Sequence, residues 1–159
     1  MIEFSTAIDV ANLLARVRTR VDQYSDLVLC SPFISDDVLS TLRGLVLCAP
    51  ENGCGMQIIT ATHTFDRVMA CVGPRGWQRT TVVGCPHLHA KFYLAIGRRD
   101  EVTEAIVTSA NLTTAGLSSN IELGVRITPT TSPGRALLHQ IDRFARRLSI
   151  NRSVQWKKH

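Results

Sequence analysis

Three stretches decide the fold of this chain: LHAKFYLAIG at residues 88–97, AIVTSAN at 105–111 and NIELGVRIT at 120–128. In each stretch, apolar residues alternate with polar or small ones. An alternation with a period of two is typical of a β-strand whose two faces meet different surroundings. We therefore predict three strands, each with an apolar face turned to a core and a polar face turned away from it.

The polar face of each predicted strand carries a pair of reactive side chains. The pairs are His89 with Lys91, Ser109 with Asn111, and Asn120 with Glu122. The opposite face of the third strand is expected to be buried through Ile121, Leu123, Val125 and Ile127. If the three strands are neighbours in one sheet, the polar pairs converge at one place.

These side chains suit the handling of a phosphoryl group. The imidazole of His89 can attack phosphorus or carry a proton near neutral pH. The ammonium of Lys91, with amide and hydroxyl donors nearby, can stabilise charge on the phosphoryl oxygens. A carboxylate such as Glu122 can hold the second N–H of an imidazole. The chain has no array of acidic residues at this place, so we expect neither a two-metal mechanism nor a cofactor.

Helix and strand patterns alternate upstream of these stretches. Thr6 and Asp9 have the spacing of a capping box, which predicts a helix starting there. The other predicted elements are strands at 26–33, 56–61 and 80–85, and helices at 35–48, at 65–72 and from Ser132-Pro133 onward. Pro50 is expected to end the second helix. This order predicts an α/β sandwich, in which a mixed central β-sheet is flanked by helices on both faces.

The composition is typical of a single folded domain. The chain has 159 residues, of which 45% are hydrophobic, and we expect one domain over residues 1–149 followed by a polar tail over 150–159. The five cysteines include no C-x-x-C pair, so most are expected to be buried rather than bound to zinc. No secretory signal and no apolar run of about 20 residues is present. We therefore expect a reduced, cytoplasmic protein that does not enter a membrane.

The charge balance is modestly basic. Lysine and arginine outnumber the acidic residues by 18 to 13, and the formal net charge is +5. A basic excess suits a polyanionic partner such as nucleic acid, although it is as typical of any soluble basic protein. Arg143, Arg146 and Arg147 could line a DNA path, but a solvated helix face is the favoured interpretation. A frayed terminus is likewise favoured over phosphate binding for residues 156–158.

Taken together, three motifs resemble the signature of the phospholipase D superfamily: H-A-K at residues 89–91, I-V-T-S-A-N-L-T-T-A-G-L at 106–117 and S-S-N-I-E-L-G-V at 118–125. More narrowly, they resemble its single-motif nuclease branch and the nuclease domains of certain restriction enzymes. Residues 31–34 (SPFI) fit the first strand of that family weakly. The chain departs from the pattern at Ile96, where the family often has Asp, and at Thr108, where a Gly often precedes the Ser. The missing Asp makes the lipid-processing branches a poorer match.

The resemblance implies a role for each motif residue. His89 would be the nucleophile that forms a phosphohistidine, and Glu122 would orient it. Lys91 and Asn111 would bind the phosphate oxygens, assisted by Ser109. Family members work without a metal ion, and those with one copy of the motif build the site across a homodimer. This chain has one copy, so we expect two His89 side chains to face each other across a two-fold axis.

Two further residues are candidates for substrate binding, Asn120 and His87. His87 is expected to lie on the same face as His89, although a residue that merely leads into the strand is the commoner case. Asn111 could also cap the turn that follows it, and Glu122 could be a surface ion-pair residue. His63 and His139 are expected to be ordinary surface or helix residues.

The favoured function is a metal-independent phosphodiesterase, a nuclease that cleaves DNA or RNA, with DNA preferred. One alternative is a phospholipid-processing enzyme of the same superfamily. The other is a non-catalytic nucleic-acid-binding subunit that keeps the fold. Because the domain is small, a helicase or a target-recognition domain is a candidate partner that would supply specificity.

Overall fold

Within the residues described by the computed structural model, 1–76, 80–99 and 103–151, seven strands form one mixed sheet. The strands are β1 (Ile2–Ser5), β2 (Tyr24–Cys30), β3 (Gly55–Ala61), β4 (Thr80–Cys85), β5 (Phe92–Gly97), β6 (Glu104–Thr108) and β7 (Gly124–Ile127). Their order in the sheet is β1-β7-β6-β5-β2-β3-β4. β2, β3 and β4 are parallel to one another. The other pairs, β1–β7, β2–β5, β5–β6 and β6–β7, are antiparallel.

Helices cover both faces of this sheet. They are α1 (Ala7–Thr19), α2 (Asp36–Glu51), α3 (Thr62–Gly76), α4 (Thr114–Ser118) and α5 (Ser132–Asn151). Along β5, Tyr93 and Ala95 pack into the core that α1, α2 and α3 close. Phe92 and Leu94 pack into a second core under α5. The prediction of a mixed sheet flanked by helices on both faces is confirmed.

The helix boundaries follow local rules, with some differences from the predictions. The capping box of α1 is present, since the backbone N–H of Thr6 donates to Asp9 Oδ2 at 2.7 Å. α5 is capped by Thr131 rather than Ser132, because Thr131 Oγ1 accepts the N–H of Gly134 at 3.2 Å. α2 runs past Pro50 to Glu51, since a proline in the last turn removes only one hydrogen bond.

Two other segments differ from the predicted elements. β1 was not predicted; it is a four-residue edge strand held by its pairing with β7. α3 starts at Thr62 rather than at residue 65 and is kinked at Gly73, whose φ is 59°. The kink lies at the Gly73-Pro74 pair, directly after the predicted end of this helix at residue 72.

The three decisive stretches form shorter strands than predicted. β5 begins at Phe92, β6 ends at Thr108 and β7 begins at Gly124. The polar pairs therefore lie in the segments that flank the strands, and not within them. The predicted burial of Ile121 and Leu123 is wrong: their exposed fractions are 103% and 65%. Both precede β7, so the strand alternation does not extend to them.

A buried carboxylate connects the first helix to the sheet. Glu104, only 5% exposed, lies on β6 and accepts hydrogen bonds from two arginines. Arg16 Nη2 of α1 donates to Glu104 Oε1 at 2.6 Å, and Arg126 Nε of β7 donates to Oε2 at 2.7 Å. Because both carboxylate oxygens are paired, this charge can be kept in the interior. None of the sequence patterns indicates this cluster.

The predicted domain limits stay an expectation. α5 continues to Asn151, so the first two residues of the predicted tail belong to that helix. The rest of the tail, including the Trp156-Lys157-Lys158 run, and the acidic pair Asp100-Glu101 lie outside the described residues. In the part of the chain that is described, no helix is both long and apolar enough to cross a bilayer.

Candidate active site

The polar segments meet at one edge of the sheet, which we call the motif edge: the C-terminal ends of β2 and β6 and the N-terminal ends of β5 and β7. The strand registers place them there, since Phe92 pairs with both Cys30 and Val107, and Thr108 pairs with Gly124. The antiparallel arrangement brings the segment before β5, the segment after β6 and the segment before β7 side by side. The predicted convergence of the three segments therefore has a simple cause in the strand order.

Backbone hydrogen bonds extend this arrangement beyond the strands. The N–H of Thr108 donates to the carbonyl oxygen of Lys91 at 3.1 Å, and the N–H of Ser109 donates to that of Leu123 at 3.0 Å. A side chain on Gly124 would meet Val107 O at 2.6 Å. β6 and β7 can therefore approach this closely only because residue 124 is a glycine.

Glu122 organises the polar group between β6 and β7. Its carboxylate accepts a hydrogen bond from Ser109 Oγ, and its Oε1 accepts one from Asn120 Nδ2 at 3.1 Å. Ser109 Oγ in turn accepts the N–H of Leu123 at 3.2 Å. The hydroxyl of Ser109 is therefore held in one orientation, with its proton directed to the carboxylate.

Within one chain, Glu122 does not make the contact with His89 that is expected of it. Among the residues that the structure describes, no hydrogen bond joins Glu122 to His89; the carboxylate is engaged by Ser109 and Asn120 instead. The segment that carries Glu122 leads into β7, whereas the segment that carries His89 leads into β5, and β6 lies between these two strands in the sheet. An orienting contact to His89 stays a prediction.

His89 and Lys91 lie on the other side of the motif edge. The side chain of His89 is exposed, and Lys91 Nζ donates to the carbonyl oxygen of His89 at 3.0 Å. Both residues line an open cleft of about 520 Å³ between the sheet and α5. An imidazole and an ammonium group thus lie together where a phosphate could reach them.

A buried thiol lies beneath this pair. Burial, together with the nearby Cys85, raises the pKa of Cys30 to about 12, although a hydrogen bond with the backbone of Phe92 and the charge of Lys91 act in the opposite direction. Cys30 is therefore a neutral thiol at physiological pH and is no rival nucleophile to His89. The prediction that most cysteines are buried is confirmed, with Cys30, Cys54 and Cys85 buried and the other two partly so.

Two residues that the sequence analysis did not select hold the segment with Asn111. Tyr93 Oη donates to the carbonyl oxygen of Ala110 at 2.8 Å. Ser31 Oγ accepts the N–H of Leu112 at 3.0 Å and donates to the carbonyl oxygen of Phe33 at 2.7 Å. The backbone is thus held on both sides of Asn111, at Ala110 and at Leu112. The Oδ1 of Asn111 lies 3.5 Å from Ser31 Oγ.

Signals for both residues exist in the sequence. Tyr93 alternates with His89 and Lys91, and Ser31 directly follows a buried strand. Burial raises the pKa of Tyr93, and the Cys30 and Glu122 charges act in the same direction, although a hydrogen bond with Ser31 opposes them. Tyr93 therefore remains a neutral donor. Asn111 does not cap α4; Thr113 does, since its Oγ1 accepts the N–H of Gly116 at 3.0 Å.

His87 lies in the turn that follows β4 and has an unusual backbone. Its φ is 58°, in the left-handed region that L-residues seldom adopt. It therefore does not lead into a strand, and the predicted shared face with His89 does not apply. Its side chain is exposed on the loop that carries His89, so substrate binding by His87 stays a prediction.

Glycine at position 87 is expected to fit this backbone better than alanine. The left-handed conformation costs a residue with a Cβ about 1 kcal/mol more than glycine. His87→Ala should therefore be less stable than His87→Gly by about that free energy of unfolding, measured by urea denaturation. Equal stability of the two variants would contradict the strained turn. Because both variants lack the imidazole, an equal rise in KM in both would identify a contact with substrate.

The fold, compared with solved structures, is that of the phospholipase D family. The phospholipase D family member Nuc from Salmonella typhimurium matches with a TM-score of 0.58 and 17% identity, over 91% of this chain and 92% of that one. NucT from Helicobacter pylori matches with a TM-score of 0.61 and 11% identity, over 93% and 96%. TrmBL2, an archaeal chromatin protein whose structure shows a novel mode of DNA binding, matches with a TM-score of 0.61 and 11% identity, over 96% of this chain and 54% of that one.

These matches define the class of fold. The chain has the phospholipase D-like fold, as the three motifs predict. No protein-family model matches the sequence, and no curated protein matches it. Among the residues that the structure describes, no group of three or more His, Cys, Asp or Glu side chains could hold a metal ion.

Proposed function

We propose that this protein is a phosphodiesterase that cleaves nucleic acid, DNA in preference to RNA, through a phosphohistidine intermediate and without a metal ion. The observation that carries the proposal is the meeting of the H-x-K, S-x-N and N-x-E segments at one edge of a phospholipase D-like sheet. His89 and Lys91 are accessible there. Ser109 is oriented by Glu122, and Asn111 is fixed by the segment around it.

The proposed reaction has two displacements at phosphorus. A ring nitrogen of His89 bonds to phosphorus, and the bond from phosphorus to one ester oxygen breaks. A second imidazole donates a proton to that leaving oxygen and then takes one from water. The oxygen of this water bonds to phosphorus as the bond to nitrogen breaks, which releases His89. Lys91 and Asn111 stabilise the charge on the other phosphoryl oxygens throughout. Ser109 assists them once its hydroxyl, which donates to Glu122 in the free protein, turns its proton to the phosphate.

The second imidazole is proposed to come from a second copy of the chain. The chain has one H-x-K motif, so His89 of the partner subunit would fill this role in a homodimer. A two-fold axis at the motif edge would place the two sites face to face. The exposed Ile121 and Leu123 lie beside this edge, and burial of their side chains would favour such an assembly.

Nucleic acid is proposed over lipid as the substrate. The net charge of +5 suits a polyanion. In addition, Ile96 stands where the family often has Asp, and this difference makes the lipid-processing branches a poorer match. We further propose that the protein acts in the cytoplasm, with a helicase or a target-recognition domain as a candidate partner.

Cleavage in the presence of a chelator tests this mechanism. If His89 supplies the nucleophile, the rate of cleavage of single- or double-stranded DNA or RNA should change by less than about twofold in excess EDTA. A gel assay on all four substrates, with and without EDTA, measures this. A Mg²⁺-dependent nuclease serves as the positive control for chelation. Loss of cleavage in EDTA, restored by added Mg²⁺, would reject the proposed chemistry.

The second candidate function is binding of nucleic acid without turnover. It is favoured by one specific observation, that Glu122 is engaged by Ser109 and Asn120 rather than by His89. The DNA binding named for TrmBL2 concerns a protein with the same fold. A binding subunit would show an affinity for DNA that falls steeply with salt concentration. It would give no product with any of the four substrates in the gel assay.

A further inference from the structure

The cleft beside His89 and Lys91 has an apolar wall that the proposed chemistry does not use. Leu137, Ile141 and Phe144 of α5 form one side of this wall, and Phe92 and Val107 of the sheet form the other. The three α5 residues follow the i, i+4, i+7 spacing of one helix face. His89 and Lys91 thus line the same cleft as this apolar wall.

Phe144 is the most unusual member of this wall. Its side chain belongs to the apolar stripe of α5, yet it is 46% exposed. The ring is held by Phe92, with 5.9 Å between ring centroids and 60° between ring planes. Contact with Phe92 therefore fixes a phenyl ring that still presents much of its surface to the cleft. A fixed and accessible aromatic ring is well suited to stacking on a flat ligand.

The apolar surface continues across the sheet in register. Phe92 pairs with Val107, Val107 with Val125, and Val125 with Phe4. Val107 and Phe4 are 39% and 85% exposed. Three strand spacings separate the ends of this row, which is about 14 Å. The cleft thus opens onto a surface long enough for more than one nucleotide.

We infer that this cleft binds an unpaired nucleobase next to the scissile phosphate, with the base stacked on Phe144. This inference rests on the proposed function, because Lys91 and His89, which line the cleft, are taken to hold the phosphate. A base that is joined to that phosphate through its sugar lies close enough to contact the apolar wall. A base in a duplex keeps its faces stacked on the neighbouring bases, so it cannot lie on Phe144 unless it leaves the double helix.

The lining of the cleft favours a base over an acyl chain. A base has a flat apolar face and a polar edge, and the cleft offers partners for both. Gln140 lies on its rim, and among the described residues its exposed amide makes no hydrogen bond, so it is available to the edge of a base. The cleft is wide and open rather than a closed apolar tunnel of the kind that an extended hydrocarbon chain requires.

The test is the binding and cleavage of one DNA sequence in single-stranded and duplex form. Wild-type protein should have a kcat/KM about five- to 150-fold higher for the single strand, which is the change in affinity that stacking of one base gives. Phe144→Leu keeps apolar area but removes the aromatic face. We expect it to raise KM for the single strand about tenfold, with little change for the duplex.

Two further arms separate the possible outcomes. Phe144→Tyr keeps the aromatic face and should restore the single-strand KM to within about twofold of wild type. An abasic site beside the cleaved phosphate should make wild type and Phe144→Leu equal. Circular dichroism checks that α5 is folded in each variant. Cleavage that prefers single strands but is insensitive to Phe144→Leu would overturn the inference.

Binding by the His89→Ala variant makes the test independent of turnover. Fluorescence anisotropy with labelled single-stranded DNA should show a Kd that rises about tenfold when Phe144→Leu is added to His89→Ala. This result would support the base site even if no cleavage were found, so the two proposals can fail separately. Phe144-dependent binding to phosphatidylcholine vesicles, with none to DNA, would overturn the inference in favour of a lipid.

Discussion

His89→Ala is expected to reduce phosphodiester cleavage by at least about a thousandfold. The variant removes the proposed nucleophile, so on this mechanism only the stabilisation of phosphoryl charge by the remaining residues is left. The fold should be unchanged, because the imidazole is exposed and, among the described residues, its ring makes no hydrogen bond. Cleavage rates under single-turnover conditions and circular dichroism measure the two effects.

His139→Ala is the matched control for this variant. His139 is also an exposed histidine, but it lies on α5 and lines a different groove, so its removal should leave the rate within about twofold of wild type. If His89→Ala retained full activity, the candidate site would be rejected. Equal losses in both variants would point to a general effect of removing surface imidazoles.

Mixtures of wild-type protein and the His89→Ala variant test the proposed homodimer. If each site needs both His89 side chains, a dimer with one altered subunit is inactive. After equal amounts of wild-type and His89→Ala chains exchange subunits, the activity per total protein should fall to about a quarter. Independent sites would leave about half. Molecular mass in solution, measured by light scattering, gives the oligomeric state directly.

The second large effect is expected in stability, for Glu104→Ala. Removal of this carboxylate leaves the Arg16 and Arg126 guanidinium groups without their buried partner. Breaking a buried pair by removing one member typically costs about 3–5 kcal/mol. The two arginine side chains are 39% and 37% exposed, and water can reach them, so we expect a loss of about 2–3 kcal/mol in the free energy of unfolding.

Urea denaturation measures this loss, and Asp36→Ala provides the comparison. Asp36 also pairs with an arginine, Arg67, but its side chain is 82% exposed, so the cost should stay below about 1 kcal/mol. Glu104→Gln keeps the shape and one acceptor oxygen and should fall between wild type and Glu104→Ala. If Glu104→Ala cost no more than Asp36→Ala, the interior cluster would contribute little to the fold.

Much of the fold follows from periodicity in the sequence. β4 has the predicted limits, residues 80–85, and the alternation in 88–97 and 105–111 predicts the strands β5 and β6. The prediction that the second face of β5 is turned away from a core is wrong, since Tyr93 and Ala95 are buried under helices there. The edge strand β1 could not be predicted, because its four residues include the exposed Phe4 and are ordered by pairing with β7, a strand near the other end of the chain. Tertiary pairing of this kind leaves no local pattern.

The candidate site was predictable to a different extent. The alternation of polar residues and the antiparallel pairing of β5, β6 and β7 are enough to bring the three segments to one edge. The strand ladder ends before the polar pairs, however, and there the alternation no longer tells which way a side chain points. The exposure of Ile121 and the contact of Glu122 with Ser109 therefore depend on loop geometry. The same holds for the left-handed backbone of His87.

The buried phenol of Tyr93 has a consequence for enzyme assays in alkaline buffers. Because its pKa is raised mainly by burial, the phenol keeps its proton well above neutral pH, and its hydrogen bond to Ala110 persists there. The loop that carries Ser109 and Asn111 is then held in place over the whole working range. A fall in turnover on the basic side would thus report ionisation of the reacting groups, and not a loosening of the framework beneath them.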